Sequence, residues 1–249
     1  MGAIVAIGLG AFCVASAVLG TRLLWVARRT RELPEIAIGI SFLLAGALGF
    51  LLEVVAQAPG SALPHGAVGP VTAAGKLTID LGIAAQLVFT WRVFRPNRAW
   101  ACAFAAWSGC LLVASFLGQA VGGFSGRQLY GFWFWVDFTG RAAAPAWNSF
   151  ESLRYYTMLR RRVGLGLADP VLAHRFLLWG VGSAAGFGMF LTGLVARLLG
   201  SGGPFSNVSV LVMSSLGLFA AVAYWLTFFP PAAYRELVAG AGDAKGAGV

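Results

Sequence analysis

Long apolar runs are the feature that most limits how this chain can fold. Seven of them follow one another with short connections, and each is at least about 20 residues long, enough to span the hydrocarbon core of a bilayer as an α-helix. Hydrophobic residues make up 59% of the chain and charged residues only 11%, which would leave a soluble domain without a polar surface. The sequence therefore predicts an all-α, polytopic integral membrane protein. The spans are residues 2–26, 36–58, 71–94, 99–118, 131–158, 170–198 and 205–229.

The seven spans form one domain, residues 1–230. A chain of 249 residues that contains seven spans leaves no room for a second folded domain of ordinary size. Residues 231–249 are rich in glycine and alanine, a composition that cannot bury much apolar surface. We therefore expect a short cytoplasmic tail that is disordered.

Basic residues are unevenly distributed along the chain. With the N-terminus outside, the segments facing the cytoplasm and their flanks carry fourteen of the eighteen, as the positive-inside rule requires. We therefore predict a seven-helix bundle in the cell membrane, with its N-terminus outside and its C-terminus in the cytoplasm. The basic residues stand in clusters at the ends of apolar runs, so the formal charge of +9 does not indicate a nucleic-acid partner. The fourteen are Arg22, Arg28, Arg29, Arg31, Arg92, Arg95, Arg98, Arg154, Arg160, Arg161, Arg162, Arg175, Arg235 and Lys245.

The fifth span is hydrophobic but carries a stripe of polar residues. At 100° per residue, Asp137, Arg141, Asn148 and Glu151 fall within about 80° of one another. A charge that faces lipid costs several kcal/mol. We therefore expect this stripe to face other helices or a wet cavity, and we expect Glu151 to pair with Arg154 near the inner end of the span.

Ionisable residues also lie inside the second and third spans. In the predicted orientation they occupy the outer half of the membrane, as do Asp137 and Arg141, so that these side chains can converge. One interpretation is internal salt bridging, because each base has an acid four residues away on its own helix. The other is a ligand- or ion-binding site, for which Glu53 is the sharpest candidate because it has no base near it in sequence. The candidate site residues are Glu53, Lys76, Asp80, Asp137, Arg141 and Asn148.

The sequence carries no pattern typical of an enzyme. His65, in a predicted outer loop, and His174, at a helix end, cannot together form a bis-histidine haem site or a histidine-based zinc site inside the membrane. The three cysteines, Cys13, Cys102 and Cys110, fall within apolar spans and leave no outer-loop disulfide. A Gly-x-Ser-x-Gly elbow, an HExxH motif and a P-loop are all missing. We therefore expect no catalytic residues, no bound metal and no cofactor.

Seven spans with an outside N-terminus are also the layout of microbial rhodopsins, but the residues that would carry this resemblance are missing. Retinal needs a lysine in the seventh span, whereas the two lysines here are Lys76, in the third span, and Lys245, in the tail. The Pro-Gln dipeptide of the seven-span sugar transporters does not occur either. The layout therefore indicates a shape and no family.

Three functions fit these features. The first is a receptor-like or sensory module that binds a small molecule or ion in a charged pocket and signals through a cytoplasmic or membrane protein partner. The second is a proton- or cation-coupled transporter of a small solute. The third is a structural or assembly subunit whose charged stripe pairs with another membrane protein. The charge pattern favours the first, because the polar residues cluster away from the midplane, where transporters hold their cargo.

Overall fold

The computed structural model describes residues 2–57, 63–124, 131–199 and 206–238, and within these ranges every regular element is helical. The prediction of an all-helical chain is thus confirmed. Seven long helices, α1 to α7, precede a short one, α8, at the start of the predicted tail; residues 239–249 of that tail lie outside the described residues. The bounds are Gly2–Thr30 (α1), Leu33–Gln57 (α2), His65–Phe94 (α3), Ala99–Ala120 (α4), Phe132–Val163 (α5), Pro170–Leu198 (α6), Asn207–Phe228 (α7) and 232–238 (α8).

Two helix starts are set by capping side chains. Asp169 precedes α6, and its carboxylate accepts a hydrogen bond of 2.8 Å from the Val171 N–H, while Pro170 takes the first helical position, where its missing N–H costs nothing. Ser206 caps α7 in the same way. α3 begins at His65 rather than at residue 71, so Pro70 lies inside this helix.

Six of the long helices, all except α5, are long and apolar enough to cross a membrane. These six indicate a membrane-embedded protein with several spans. α5 has 32 residues, but its polar stripe makes it less apolar than the others. The count of seven spans and the orientation of the bundle therefore stay predictions.

Six of the long helices, α1, α2, α3, α5, α6 and α7, close into a ring, and α4 packs against α3 and α5. α1 packs against α2 and α7, α7 packs against α6, and α6 packs against α5. α3 lies against α2, α4 and α5 and joins the two halves of the bundle. Successive helices run antiparallel, so the helix ends form two groups. We call the end at which α1, α3, α5 and α7 begin the amino-terminal end, and the opposite end, which carries the arginine clusters, the basic end.

Buried apolar side chains pack in three groups around the middle of the ring. The group nearest the basic end joins α1, α2, α3, α6 and α7, and in it the Phe89 ring stacks on Trp179 with 4.8 Å between centroids. A second group joins α3, α4 and α5, and a third joins α1, α2 and α7. These contacts hold in place the helices that carry the polar residues.

The outward faces of the long helices are apolar. Each helix exposes at least one large apolar side chain, and on α5 the ring of Phe150 is 65% exposed. A soluble protein has the opposite arrangement, with its charged groups outside. Representative exposed side chains, one for each helix from α1 to α7, are Ile7, Leu48, Leu81, Val113, Phe150, Val195 and Val222.

α2 contains a π-helical segment, Phe42–Gly49, in which the Phe50 N–H donates to the Ala45 carbonyl five residues back. Such segments widen a helix locally and often occur near functional sites. Gly49 ends this segment where α2 meets α3. A Cβ on residue 49 would lie 2.5 Å from Ile79 Cγ1. The two helices therefore approach as closely as a glycine permits.

We expect the substitution Gly49→Ala to lower the free energy of unfolding by about 1–3 kcal/mol, because a methyl group must push α2 away from α3. Gly109→Ala is the matched control, since a Cβ on Gly109 in α4 meets nothing within 4 Å. Thermal unfolding of the purified protein in detergent measures both. Equal midpoints for the two variants would contradict the tight contact.

Candidate functional site

Lys76 of α3 is buried, at 2% exposure, among oxygen atoms from α3, α4 and α5. Its Nζ donates to Ser115 Oγ at 2.9 Å, lies 3.1 Å from Asp80 Oδ2, and also contacts Asp137 Oδ1. Ser115 Oγ is in turn 2.9 Å from Asp137 Oδ1. An ammonium group has three N–H donors; two of them are used in hydrogen bonds to Ser115 and Asp137, and Asp80 adds an ion pair.

Arg141 of α5 connects α2, α3 and α5. Its Nε donates to Asp80 Oδ1 at 2.8 Å, and both of its terminal nitrogens donate to Glu53 Oε1 at 3.1 Å. One of these nitrogens also lies 3.4 Å from the Lys76 carbonyl oxygen. The planar guanidinium suits this arrangement because its donors point to several partners at once.

Five of the six predicted site residues, Glu53, Lys76, Asp80, Asp137 and Arg141, thus meet in one place, which we call the charged cluster. Both pairs expected within one helix are present, Lys76–Asp80 at 3.1 Å and Asp137–Arg141 at 3.4 Å. The closest contacts, however, join different helices. Salt bridging inside the bundle is therefore part of the arrangement, and a ligand-binding role stays a prediction.

The charged cluster holds three carboxylates and two cationic side chains. If all five are ionised, its formal charge is −1. Glu53, Asp80 and Arg141 are each 7% exposed, so little water reaches them. A buried net charge is unfavourable by several kcal/mol, and a counter-charge removes this cost. In that ionisation state the cluster is suited to take up one positive charge.

Two oxygen atoms beside the charged cluster are not used by the protein. Among the described residues, every hydrogen bond to Glu53 comes from Arg141 and ends on Oε1, which leaves Oε2 unpaired. The hydroxyl of Thr72, one turn before Lys76 on α3, is 2% exposed and also has no partner within the described ranges. Buried polar atoms are nearly always hydrogen-bonded, and the Thr72 hydroxyl is an exception. This hydroxyl and the Glu53 oxygen that accepts no hydrogen bond are therefore candidate ligand contacts.

Asn148, the sixth predicted residue, lies away from the charged cluster. It is two helical turns further along α5, about 10 Å towards the basic end. Its amide donates to Ser183 Oγ at 2.9 Å and to Tyr224 OH at 3.3 Å, and the two hydroxyls are 2.6 Å apart. We call Asn148, Ser183 and Tyr224 the neutral triad. It joins α5, α6 and α7 without carrying a charge.

Glu151, the last residue of the α5 stripe, pairs with a different arginine from the one we predicted. Arg95, just after α3, contacts it through Nε–Oε1 at 2.8 Å and a terminal nitrogen–Oε2 at 2.9 Å, while Arg154 is exposed. Glu151 is only 1% exposed, so it faces the bundle and not the interface where Arg154 lies. These hydrogen bonds raise the pKa of Arg95 above its usual range.

A cavity of about 220 Å³ connects the two polar groups. Glu53, Asp137 and Arg141 line it at the charged cluster, and Ser183 and Tyr224 line it at the neutral triad. The walls between them are mostly apolar and come from α1, α2, α3, α5, α6 and α7. Residues that represent these walls are Phe42, Phe50, Ile79, Phe138, Met189 and Phe190.

The sequence reasoning missed Ser115, Thr72, Ser183 and Tyr224. Ser115 had a usable signal, because it is four residues from Gln119, and both are buried on one face of an otherwise apolar helix. Thr72, Ser183 and Tyr224 stand on helices that carry other hydroxyl residues as well. Serine and threonine hydroxyls in helices commonly donate to their own backbone, so sequence position alone does not distinguish these three.

Comparisons with protein-family models, with curated proteins and with solved structures find no match to this chain. The charged cluster, the neutral triad and the cavity are therefore the features that bear on its function.

Proposed function

We propose that this protein is an integral membrane binding module of the receptor-like or sensory type, whose cavity holds a small amphipathic molecule. The observation that supports this is the cavity, which has apolar walls, buried charge at one end and neutral hydrogen-bonding groups at the other. Largely apolar pockets with a few convergent polar groups are typical of small-molecule sites.

In this proposal α5 also crosses the membrane, which brings the number of spans to seven, and the bundle lies in the cell membrane with its basic end in the cytoplasm. Two observations favour it. Within the apolar part of α5, Asp137, Arg141 and Glu151 make ion pairs inside the bundle, while the outward face carries Phe150, which is 65% exposed. The arginine clusters all lie at one end of the bundle, as the positive-inside rule requires.

α5 is the helix through which binding would be transmitted. It carries Asp137 and Arg141 at the cavity, Asn148 in the neutral triad and Glu151 near the basic end. Pro145, which also lines the cavity, cannot donate a hydrogen bond to the Arg141 carbonyl, so α5 is weakened at this point. A ligand at the charged cluster would shift the basic end, where a cytoplasmic or membrane protein partner would respond.

We expect Gly186→Leu to block the cavity without disrupting the bundle. Gly186 lines the cavity, and the nearest atom to a Cβ there is Pro145 Cβ at an ordinary 3.7 Å, so a leucine side chain would extend into the space. The probe is a benzyl alcohol that carries a photoreactive trifluoromethyl diazirine, followed by mass spectrometry. In the parent protein it should label the cavity residues Met189 and Phe190, and in the variant this labelling should be lost.

Gly109→Leu is the control, because Gly109 faces open space on α4 and is not part of the cavity wall. It should leave the labelling of Met189 and Phe190 unchanged. Labelling that is confined to outward residues such as Phe150 and Val222 in all three proteins would overturn the binding function.

A transporter is the second candidate, and the extent of the cavity favours it. The cavity runs from the charged cluster to Ser183, which lies near the middle of α6, the depth at which transporters bind their substrates. Purified protein in liposomes with a pH-sensitive dye inside would separate the two candidates. Cation-dependent proton movement that Glu53→Gln abolishes would establish transport, and its absence would favour the binding module.

A further inference from the structure

We infer that the ligand of this cavity is an organic cation, an amine that is protonated at neutral pH and attached to an apolar body. This inference rests on the proposed binding function and names its ligand class. It is carried by the charge of the site, by the two unused oxygens and by the aromatic lining.

The charge of the site disfavours an anionic ligand. Lys76 and Arg141 are the cations beside the cavity, and carboxylates already hold both of them at 2.8–3.1 Å. An anionic ligand would have to displace one of these carboxylates or make the formal charge of −1 more negative. A cation instead brings the charged cluster to neutrality, which is the favoured state at low dielectric.

The unused oxygens supply the hydrogen bonds that an ammonium group requires. Glu53 Oε2 and Thr72 Oγ1 both belong to side chains that line the cavity, and both are without a donor among the described residues. α2 and α3 run antiparallel here, with Glu53 against Gly75, so Thr72 lies one turn beyond that contact towards the amino-terminal end. An ammonium group between them would bind one carboxylate oxygen and one hydroxyl.

Aromatic rings complete a site for an organic cation. Phe50 and Phe138 line the cavity, one of them a turn before Glu53 and the other next to Asp137. Ring faces attract cations, most strongly where water is excluded. No group of three or more His, Cys, Asp or Glu side chains in the described ranges is arranged to hold a metal ion. The surroundings thus fit an amine with a hydrocarbon body better than a metal ion.

The test compares three probes with the same phenylethyl body, 2-phenylethylamine, 2-phenylethanol and 3-phenylpropanoate, on the full chain in nanodiscs. Equilibrium dialysis gives each Kd at pH 7. We expect the amine to bind about tenfold more tightly than the alcohol, the change expected for one charge-assisted hydrogen bond, and the carboxylate to bind more weakly than both.

Glu53→Gln should remove the preference for the amine while the alcohol still binds, since the amide keeps an oxygen for Arg141. Thr72→Val, which removes the unpaired hydroxyl without touching the ion pairs, should weaken amine binding by severalfold. Glu32→Gln is the matched control, because Glu32 is exposed just before α2, and it should change nothing.

The possible failures are distinct. Equal binding of the amine and the alcohol would overturn the inference of a cationic ligand, whereas the proposal that the cavity binds an amphipathic molecule would still hold. Tighter binding of the carboxylate would do the same. Binding of none of the three probes, together with no photolabelling of Met189 and Phe190, would overturn the cavity function itself.

Discussion

Arg141→Ala is expected to lower the free energy of unfolding by about 3–5 kcal/mol, the cost of breaking a buried ion pair by removing one partner. Arg141 contacts both Asp80 and Glu53 and lies 3.4 Å from Asp137, so its loss leaves two buried carboxylates and the partly buried Asp137 with only Lys76. Thermal unfolding in detergent, read by circular dichroism, measures the effect.

The control for this prediction is Arg161→Ala, on the same helix but exposed at the basic end, which should shift the midpoint little. Adding Glu53→Gln to Arg141→Ala should recover part of the loss because it removes one of the unpaired charges. Arg141→Lys should be intermediate, since a lysine keeps the charge but does not reach Asp80 and Glu53 at once. If Arg141→Ala and Arg161→Ala unfold alike, the charged cluster does not hold α2, α3 and α5 together.

The pair between Arg95 and Glu151 predicts unequal effects for its two partners. Arg95→Ala leaves Glu151, at 1% side-chain exposure, as a buried charge without a cation, and should cost about 3–5 kcal/mol. Glu151→Gln leaves Arg95, which is 19% exposed and can turn to water, and should cost only about 1–3 kcal/mol. The order of the two unfolding midpoints tests this prediction.

Arg98→Ala serves as the control, because Arg98 precedes α4 at the same end and is exposed. Its midpoint should match that of the parent protein. A larger loss for Glu151→Gln than for Arg95→Ala would show that the carboxylate is not sealed from water and would contradict the arrangement.

The ion pairs of the bundle differ in how far the local sequence can predict them. Lys76–Asp80 and Asp137–Arg141 are four residues apart, so their helical spacing alone predicts contact. Glu53 has no base near it on α2, and its partner, Arg141, comes from a helix that is 88 residues away along the chain. Glu151 shows the reverse error, because its nearest arginine in sequence is not the one it binds.

Three properties could be predicted from the sequence alone: the chain is helical, its outward faces are apolar, and the α5 stripe must be shielded. These properties depend on run length and on angular spacing within a helix, which sequence numbering gives directly. The folded bundle was needed to show that Arg141 joins Glu53 to Asp80, that Asn148 belongs to a separate neutral triad, and that a cavity lies between the charged cluster and this triad. Such contacts depend on which helices are neighbours and on their relative positions along the helix axes. Both depend on how the whole bundle packs.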